Sequence, residues 1–321
     1  MDNTDSVLDP LSFTDMYINF SDINKSDVFY NGVSERRGVC AELKPHVHKL
    51  AQEISTQVET GKSSFRIKYN RKFYRCTLIK GVHGLIADLR AQPMELIPLK
   101  DISIPLSIKQ YCTAQRLNRG GLILVAGSPG QGKTTTCAAI LIERLVRYGG
   151  FCLAIEDPAE LPLDGLHGKG RLVQIEIEDK EEYEEAGRMA MRCYPTDKPG
   201  LMFISEIRDA EGASLALRAA LDGRLVIATM HADSPISALK RILNFASLCM
   251  DEGEARQLLY NGFRLCLHQE RKESKIESTI LVDTQSVVPL IRNGKLDMLG
   301  TEIDIQQRML KEEKKIQPRK L

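Results

Sequence analysis

The chain has 321 residues, room for two domains, and its 44 Lys and Arg against 43 Asp and Glu leave no global field drawing it to nucleic acid. Trp is absent and aromatics make up only 6%, which removes the usual stacking platforms for single-stranded nucleic acid. No apolar run approaches the roughly 20 residues that span a bilayer, and eight scattered cysteines with no C-x-x-C pair speak against zinc or a disulfide framework and for reduced, mostly buried thiols.

Residues 1–27 carry six Asp, and the first ten or so read as mobile. The acidic start lacks the basic-then-apolar order of a signal peptide, so the expectation is a soluble, cytoplasmic protein. Leu11 to Phe20 mixes apolar and polar positions enough to start a fold. Glu42 to Glu59 reads as a helix, with Val47, Leu50, Ala51, Ile54 and Val58 at three- and four-residue steps. Phe65 to Tyr69 alternates as a half-exposed strand, Asn70-Arg71-Lys72 is a turn, and Phe73–Ile79 and His83–Leu89 are further strands. Residues 1–100 therefore form a small α+β domain with an antiparallel sheet. Pro93, Pro98 and Pro105 mark its boundary. Residues 101–120 are a linker with a lead-in helix from Ile108 to Asn118, and 121–321 form the second domain.

There the pattern becomes strand, helix, strand, the signature of a parallel α/β sheet. Four apolar runs stand out: Leu122–Ala126, Phe151–Ile155, Leu201–Ile204 and Leu225–Thr229. The first leads into Gly127-Ser128-Pro129-Gly130-Gln131-Gly132-Lys133-Thr134, followed by Thr135 and a helix-prone stretch to Arg147. This is the phosphate-binding loop pattern: glycines let backbone N–H groups turn inward around phosphate, and the helix start adds partial positive charge. Lys133 supplies an ammonium for the outer phosphates and the Thr134 hydroxyl a magnesium ligand, so the chain is expected to bind a nucleoside triphosphate. Asp209 and Ser234 are N-cap candidates for two later helices. Further helices follow Phe245, then a strand at Ser278–Val282 and a helix from Gln285 to Asn293. Arg308–Leu321, dense in Lys and Glu, reads as a solvated helix fraying into a tail, with an interaction tail as the alternative.

The other three runs also end in groups suited to phosphate or magnesium chemistry. Ligands of open α/β sheets sit beyond the carboxyl ends of the strands, so these endings should share one crevice. Glu156, Asp157 and Glu160 lie within five residues after the second run and could hold magnesium, directly or through water. A polar loop or an acidic first helical turn is the alternative. Glu206, after the third run, can align water and accept its proton, or pair with Arg208. Arg208 can stabilise transferring charge. His231, after the fourth, is either structural or a donor to the γ-phosphate.

This ordered set resembles the secretion ATPase superfamily, the ring-forming motors of type IV pili and of type II and type IV secretion. The phosphate loop, Ile155 to Glu160, Ser205 to Asp209 and Leu225 to Asp233 correspond to its Walker A, Asp box, Walker B and His box. The compact length is similar to the PilT retraction branch, and Val287 to Lys295 to that branch's C-terminal signature. A DotB-like type IV secretion motor is the rival. The resemblance implies a PAS-like N-terminal domain, a RecA-like P-loop NTPase core, ATP with Mg between the two domains, and a homo-hexamer at an inner-membrane platform protein. It also implies Glu206 as catalytic carboxylate, Glu160 in the Asp box, and Arg75 and Arg90 as arginines offered to the nucleotide. The chain departs from the family at Lys198, Gly200, Ser205 and Arg224, which keeps open a nucleotide-binding regulatory subunit with little hydrolysis. A nucleic-acid motor on the same core is a third reading.

Overall fold

The computed structural model of the protein describes residues 11–30, 33–58, 61–177, 180–272 and 275–320; the stretch read as mobile lies outside them. Two compact units result, one reaching to Glu95 and including Glu160–Pro162, the other holding Leu96–Ala159 and the chain from Leu163 onward.

The first unit contains β1 (Phe13–Asn19), β2 (Asp27–Tyr30), β3 (Arg37–Gly38), α1 (Lys44–Val58), β4 (Ser64–Tyr69), β5 (Lys72–Gly81) and β6 (Gly84–Ala91). They form an antiparallel sheet in the order β3-β2-β1-β6-β5-β4. One sheet face buries Met16, Ile18, Tyr74 and Leu89 against Val47, Leu50 and Ile54 of α1. The Asn70-Arg71 turn has φ of +46° and +65°, the paired left-handed conformation whose twist suits a two-residue hairpin.

The second unit begins with α2 (Leu106–Cys112) and a 3-10 turn at Gln115–Arg119, where a single lead-in helix was expected. It continues through β7 (Gly121–Ala126), α3 (Lys133–Tyr148), β8 (Gly150–Glu156), β9 (Gly165–His167), β10 (Gly170–Glu176), α4 (Lys180–Cys193), β11 (Gly200–Ile204), α5 (Ala210–Leu221) and β12 (Arg224–Met230). Then come α6 (Pro235–Ala246), α7 (Glu252–Gly262), β13 (Phe263–Lys272), β14 (Lys275–Val282), α8 (Val287–Arg292) and α9 (Leu299–Lys311). The sheet order is β14-β13-β7-β12-β11-β8-β10-β9; the six inner strands are parallel and both edges antiparallel. Strands β7, β11 and most of β12 are buried on both faces, which is why they read as unbroken apolar runs. Helix α3 covers one face; α5, α6 and α7 join the core on the other. Asp209 and Ser234 cap α5 and α6 as expected, accepting from Gly212 N at 2.9 Å and Ser237 N at 3.1 Å.

The end of the chain is a correction. Residues after α9 do not fray into solvent: Ile316 is buried and exchanges two hydrogen bonds with the Tyr111 hydroxyl, at 2.6 and 3.1 Å. Arg319 then reaches Asp283, with its main-chain N 2.7 Å from the Asp283 oxygen. Charge density alone misled because one apolar residue and one arginine are enough to pin the segment. Five of the eight cysteines are buried, and burial pushes the Cys76 and Cys112 thiols up to about 12, far from reactivity.

Candidate active site

The glycine-rich loop lies where β7 ends and α3 begins. Gly127, Gly130 and Gly132 have φ of +150°, +75° and +79°, a region glycine enters without a Cβ penalty. A Cβ on Gly130 would meet nothing within 4 Å, so Ser128, Pro129, Gly130 and Gln131 shape a loop with open space at its tip. Lys133 starts α3, buried, and its Nζ donates across the loop to the Ser128 oxygen at 2.9 Å. Gly132, the N-cap, offers no side-chain acceptor to the first N–H groups of α3. That end of the helix, bearing Thr134 and Thr135, suits an anion. Turned backbone, a lysine and a helix start together fit a triphosphate, and the half-buried Thr134 hydroxyl fits magnesium.

The neighbouring strands bring the other predicted residues to the same end of the sheet. In the β12–β7 register Met230 faces Ala126, so His231 follows beside Gly127, whose N–H donates to the Met230 oxygen at 3.3 Å. His231 is half-buried and its carbonyl accepts from Arg241 at 3.2 Å. One strand further, the segment bearing Glu206 is held from both sides. Ser205 N donates to Ile155 O at 3.0 Å, Ile207 N donates to Thr229 O at 2.9 Å, and the Thr229 hydroxyl donates to Ser205 O. Glu206 itself is exposed, and among the described residues no hydrogen bond or ion pair engages its carboxylate. A carboxylate on a fixed backbone and otherwise uncommitted can act on water.

Beyond β11, the end of β8 splits its two carboxylates. Glu156 is fully buried and accepts from Gln174 Nε2 at 2.6 Å; the Gln174 Oε1 in turn accepts from Leu163 and Asp164 N–H groups at 3.0 and 2.8 Å. Glu156 thus anchors the loop after β8. Asp157 is half-buried and forms an ion pair with Arg208, so Arg208 joins the ends of β8 and β11 rather than pairing with Glu206.

Glu160, Arg75 and Arg90 belong to the first unit. Arg75 Nη1 lies 4.0 Å from Glu160 Oε1, and Arg75 faces Arg90 across the β5–β6 pairing. Arg90 Nε donates to Asp15 at 2.7 Å.

Of the four departures, only Ser205 lies at the carboxyl end of the sheet. Lys198 is exposed just before β11, and Gly200 and Arg224 are the first residues of β11 and β12. The Arg224 guanidinium stacks over the Tyr194 ring at 4.2 Å, and a Cβ on Gly200 would press on both, at 2.8 and 2.9 Å. Arg224 opens the seven-residue strand β12 and His231 follows its last residue, about 20 Å of extended chain away.

Sequence reasoning missed Gln269, on a strand that it read as helical. Gln269 Nε2 donates to the Gln131 oxygen at 2.6 Å, and a Cβ on Gly127 would stand 2.4 Å from the Gln269 oxygen. The available signal was the short apolar stretch Leu265-Cys266-Leu267, preceded by Phe263 and Arg264 and closing on two polar residues.

The fold, a P-loop NTPase core joined to a small α+β unit, is what the comparisons match. The chain belongs to the type II/IV secretion system protein family, whose model matches residues 48–304. It is 29% identical over 238 residues to the uncharacterized protein YggR of Escherichia coli K12, covering 71% of this chain and 68% of that protein. It is 32% identical over 289 residues to the type II secretion system protein E of Aeromonas hydrophila, covering 85% of this chain and 53% of that protein. The chain thus spans about half the length of that relative, and 44% of the HofB homolog of Haemophilus influenzae. Among solved structures, the pilus retraction motor PilT with bound ADP superposes with a TM-score of 0.73 at 23% identity, over 92% of this chain and 86% of that one. The Legionella pneumophila ATPase DotB gives 0.66 at 20% identity, over 94% and 84%. At these identities the likeness is one of fold.

Proposed function

We propose that this chain hydrolyses ATP, with magnesium, and that the hydrolysis powers a ring-forming motor of a type IV pilus or of a type II or type IV secretion machine. The single observation that carries this reading is the convergence of four strand ends on one edge of the sheet: the phosphate loop, His231, Ser205-Glu206 and Glu156-Asp157, on adjacent strands.

In this reading Lys133 exchanges its bond to Ser128 for phosphate oxygens, and Thr134 holds magnesium, which neutralises phosphate charge when bound. Glu206 orients the attacking water and accepts its proton. Asp157 would hold magnesium, directly or through water, while its pairing with Arg208 links the ends of β8 and β11. Glu156, being buried, positions the loop that carries Glu160. His231, beside the loop, donates to the γ-phosphate. Arg75 and Arg90 add positive charge for a nucleotide.

Family membership supports a homo-hexamer working at an inner-membrane platform protein, with the ring on the cytoplasmic side. No described helix is long and apolar enough to cross a membrane, so that association would pass through the partner. The regulatory-subunit reading loses support from the position of Lys198, Gly200 and Arg224, at the strand ends away from the loop. Lys133→Ala tests the phosphate loop: titration with a fluorescent ATP analogue should show binding by the wild type and none by the variant. Undiminished affinity in the variant removes the assignment.

A further inference from the structure

Strand β13 touches the phosphate loop twice. At the loop's start, the Gln269 main-chain oxygen fills the space where a Cβ of Gly127 would stand, 2.4 Å away. Further along, the fully buried Gln269 side chain donates from Nε2 to the main-chain oxygen of Gln131 at 2.6 Å. The Gln131 side chain reaches back, its Oε1 accepting from the Arg271 main-chain N–H. Gln269 Oε1 is buried and has no hydrogen-bond partner among the described residues. A buried unpartnered acceptor carries a desolvation penalty, so it is the donated bond to Gln131 that gives an amide its advantage over an apolar side chain here.

We propose that Gln269 is a positioning residue for the phosphate loop, holding the Gln131–Gly132 peptide so that the Gly132 N–H faces the phosphates. The proposal rests on the nucleotide-binding reading above. A trans peptide sends its C=O and N–H in opposite directions, and the cis bond among the described residues is Asp157–Pro158, elsewhere. With the Gln131 oxygen tied to β13, the Gly132 N–H is aimed away from that strand. The peptide needs this hold because glycines flank Gln131 on both sides, at φ of +75° and +79°. Turning that peptide over changes ψ of Gln131 and φ of Gly132, and a glycine accepts such a change at little steric cost. An inward-turned N–H is what makes a row of backbone amides an anion cradle; a flipped one presents a carbonyl oxygen to phosphate instead. Gln269 therefore selects the binding-competent orientation from outside the loop, 138 residues away in sequence.

Gln269→Met keeps the volume and removes the donor. Titration with a fluorescent ATP analogue, alongside thermal melting, should show the variant folded and its affinity about tenfold weaker than wild type, the scale of one hydrogen bond. Equal affinity of Gln269→Met and wild type overturns the clamp while leaving nucleotide binding intact. A wild type that fails to bind overturns the nucleotide reading itself. Gln269→Leu is a second variant without the donor. Its affinity should fall as far as that of Gln269→Met, and wild-type affinity in whichever of the two folds overturns the clamp.

Discussion

Asp283, just past the end of β14, is a fully buried carboxylate gripped by two arginines from distant parts of the chain. Arg116 holds it in a fork, at 2.7 and 3.2 Å, and Arg319 adds a third bond at 3.2 Å. Burial raises its pKa, against the opposing pull of the Arg116 guanidinium. Removing one member of a buried ion pair leaves its partners desolvated and unpaired, a cost of about 3–5 kcal/mol. Asp283→Ala should therefore lower the melting temperature by roughly 5 °C or more; a change within 1 °C would show that water replaces the carboxylate. No sequence pattern announces such a residue, because its partners lie 167 and 36 positions away. Lys133 and Glu206 were legible for the opposite reason: their chemistry needs neighbours in sequence, a glycine loop and a buried strand. Gln269 belongs with Asp283.

At the scale of elements, the central strands and their helices were readable because burial on both faces leaves unbroken apolar runs. Helix α1, with Val47, Leu50 and Ile54 on one side, was readable from its period. The elements that escaped are those whose runs are short or mixed. β13 interleaves Arg264 and His268 with its apolar residues, and the buried Arg264 guanidinium is satisfied by carbonyls of Gly120, Asn261 and Phe263. Of these acceptors, the Gly120 oxygen, 144 residues away, is the one that only the tertiary structure supplies. β10 carries Arg171, Gln174 and Glu176, and Gln174 earns its place through the bond to Glu156. The lead-in segment breaks into α2 and a 3-10 turn, and it is tied down by the buried Arg144 of α3. That guanidinium donates to Cys112 and Ala114 oxygens at 3.1 and 3.2 Å and to Asn118 at 2.6 Å.

For the whole molecule, topology assembles the candidate site: parallel strands put every carboxyl end on one edge, and the loop strand β7 sits inside the sheet with a functional neighbour on either side. The order of motifs in sequence therefore becomes adjacency in space. The proposed motor is a ring, so light scattering with ATP should give a mass near six times the 36.0 kDa chain; a strict monomer at all concentrations would contradict that assembly. Hydrolysis itself is most directly tested by the steady-state ATPase rate of the wild type beside Glu206→Gln, with nucleotide binding measured on both. The expected result is turnover by the wild type, and in the variant intact binding with a rate at least about tenfold lower, the range for a lost positioned base. Equal rates would remove the catalytic role from Glu206, and no turnover by a wild type that binds ATP would contradict the motor.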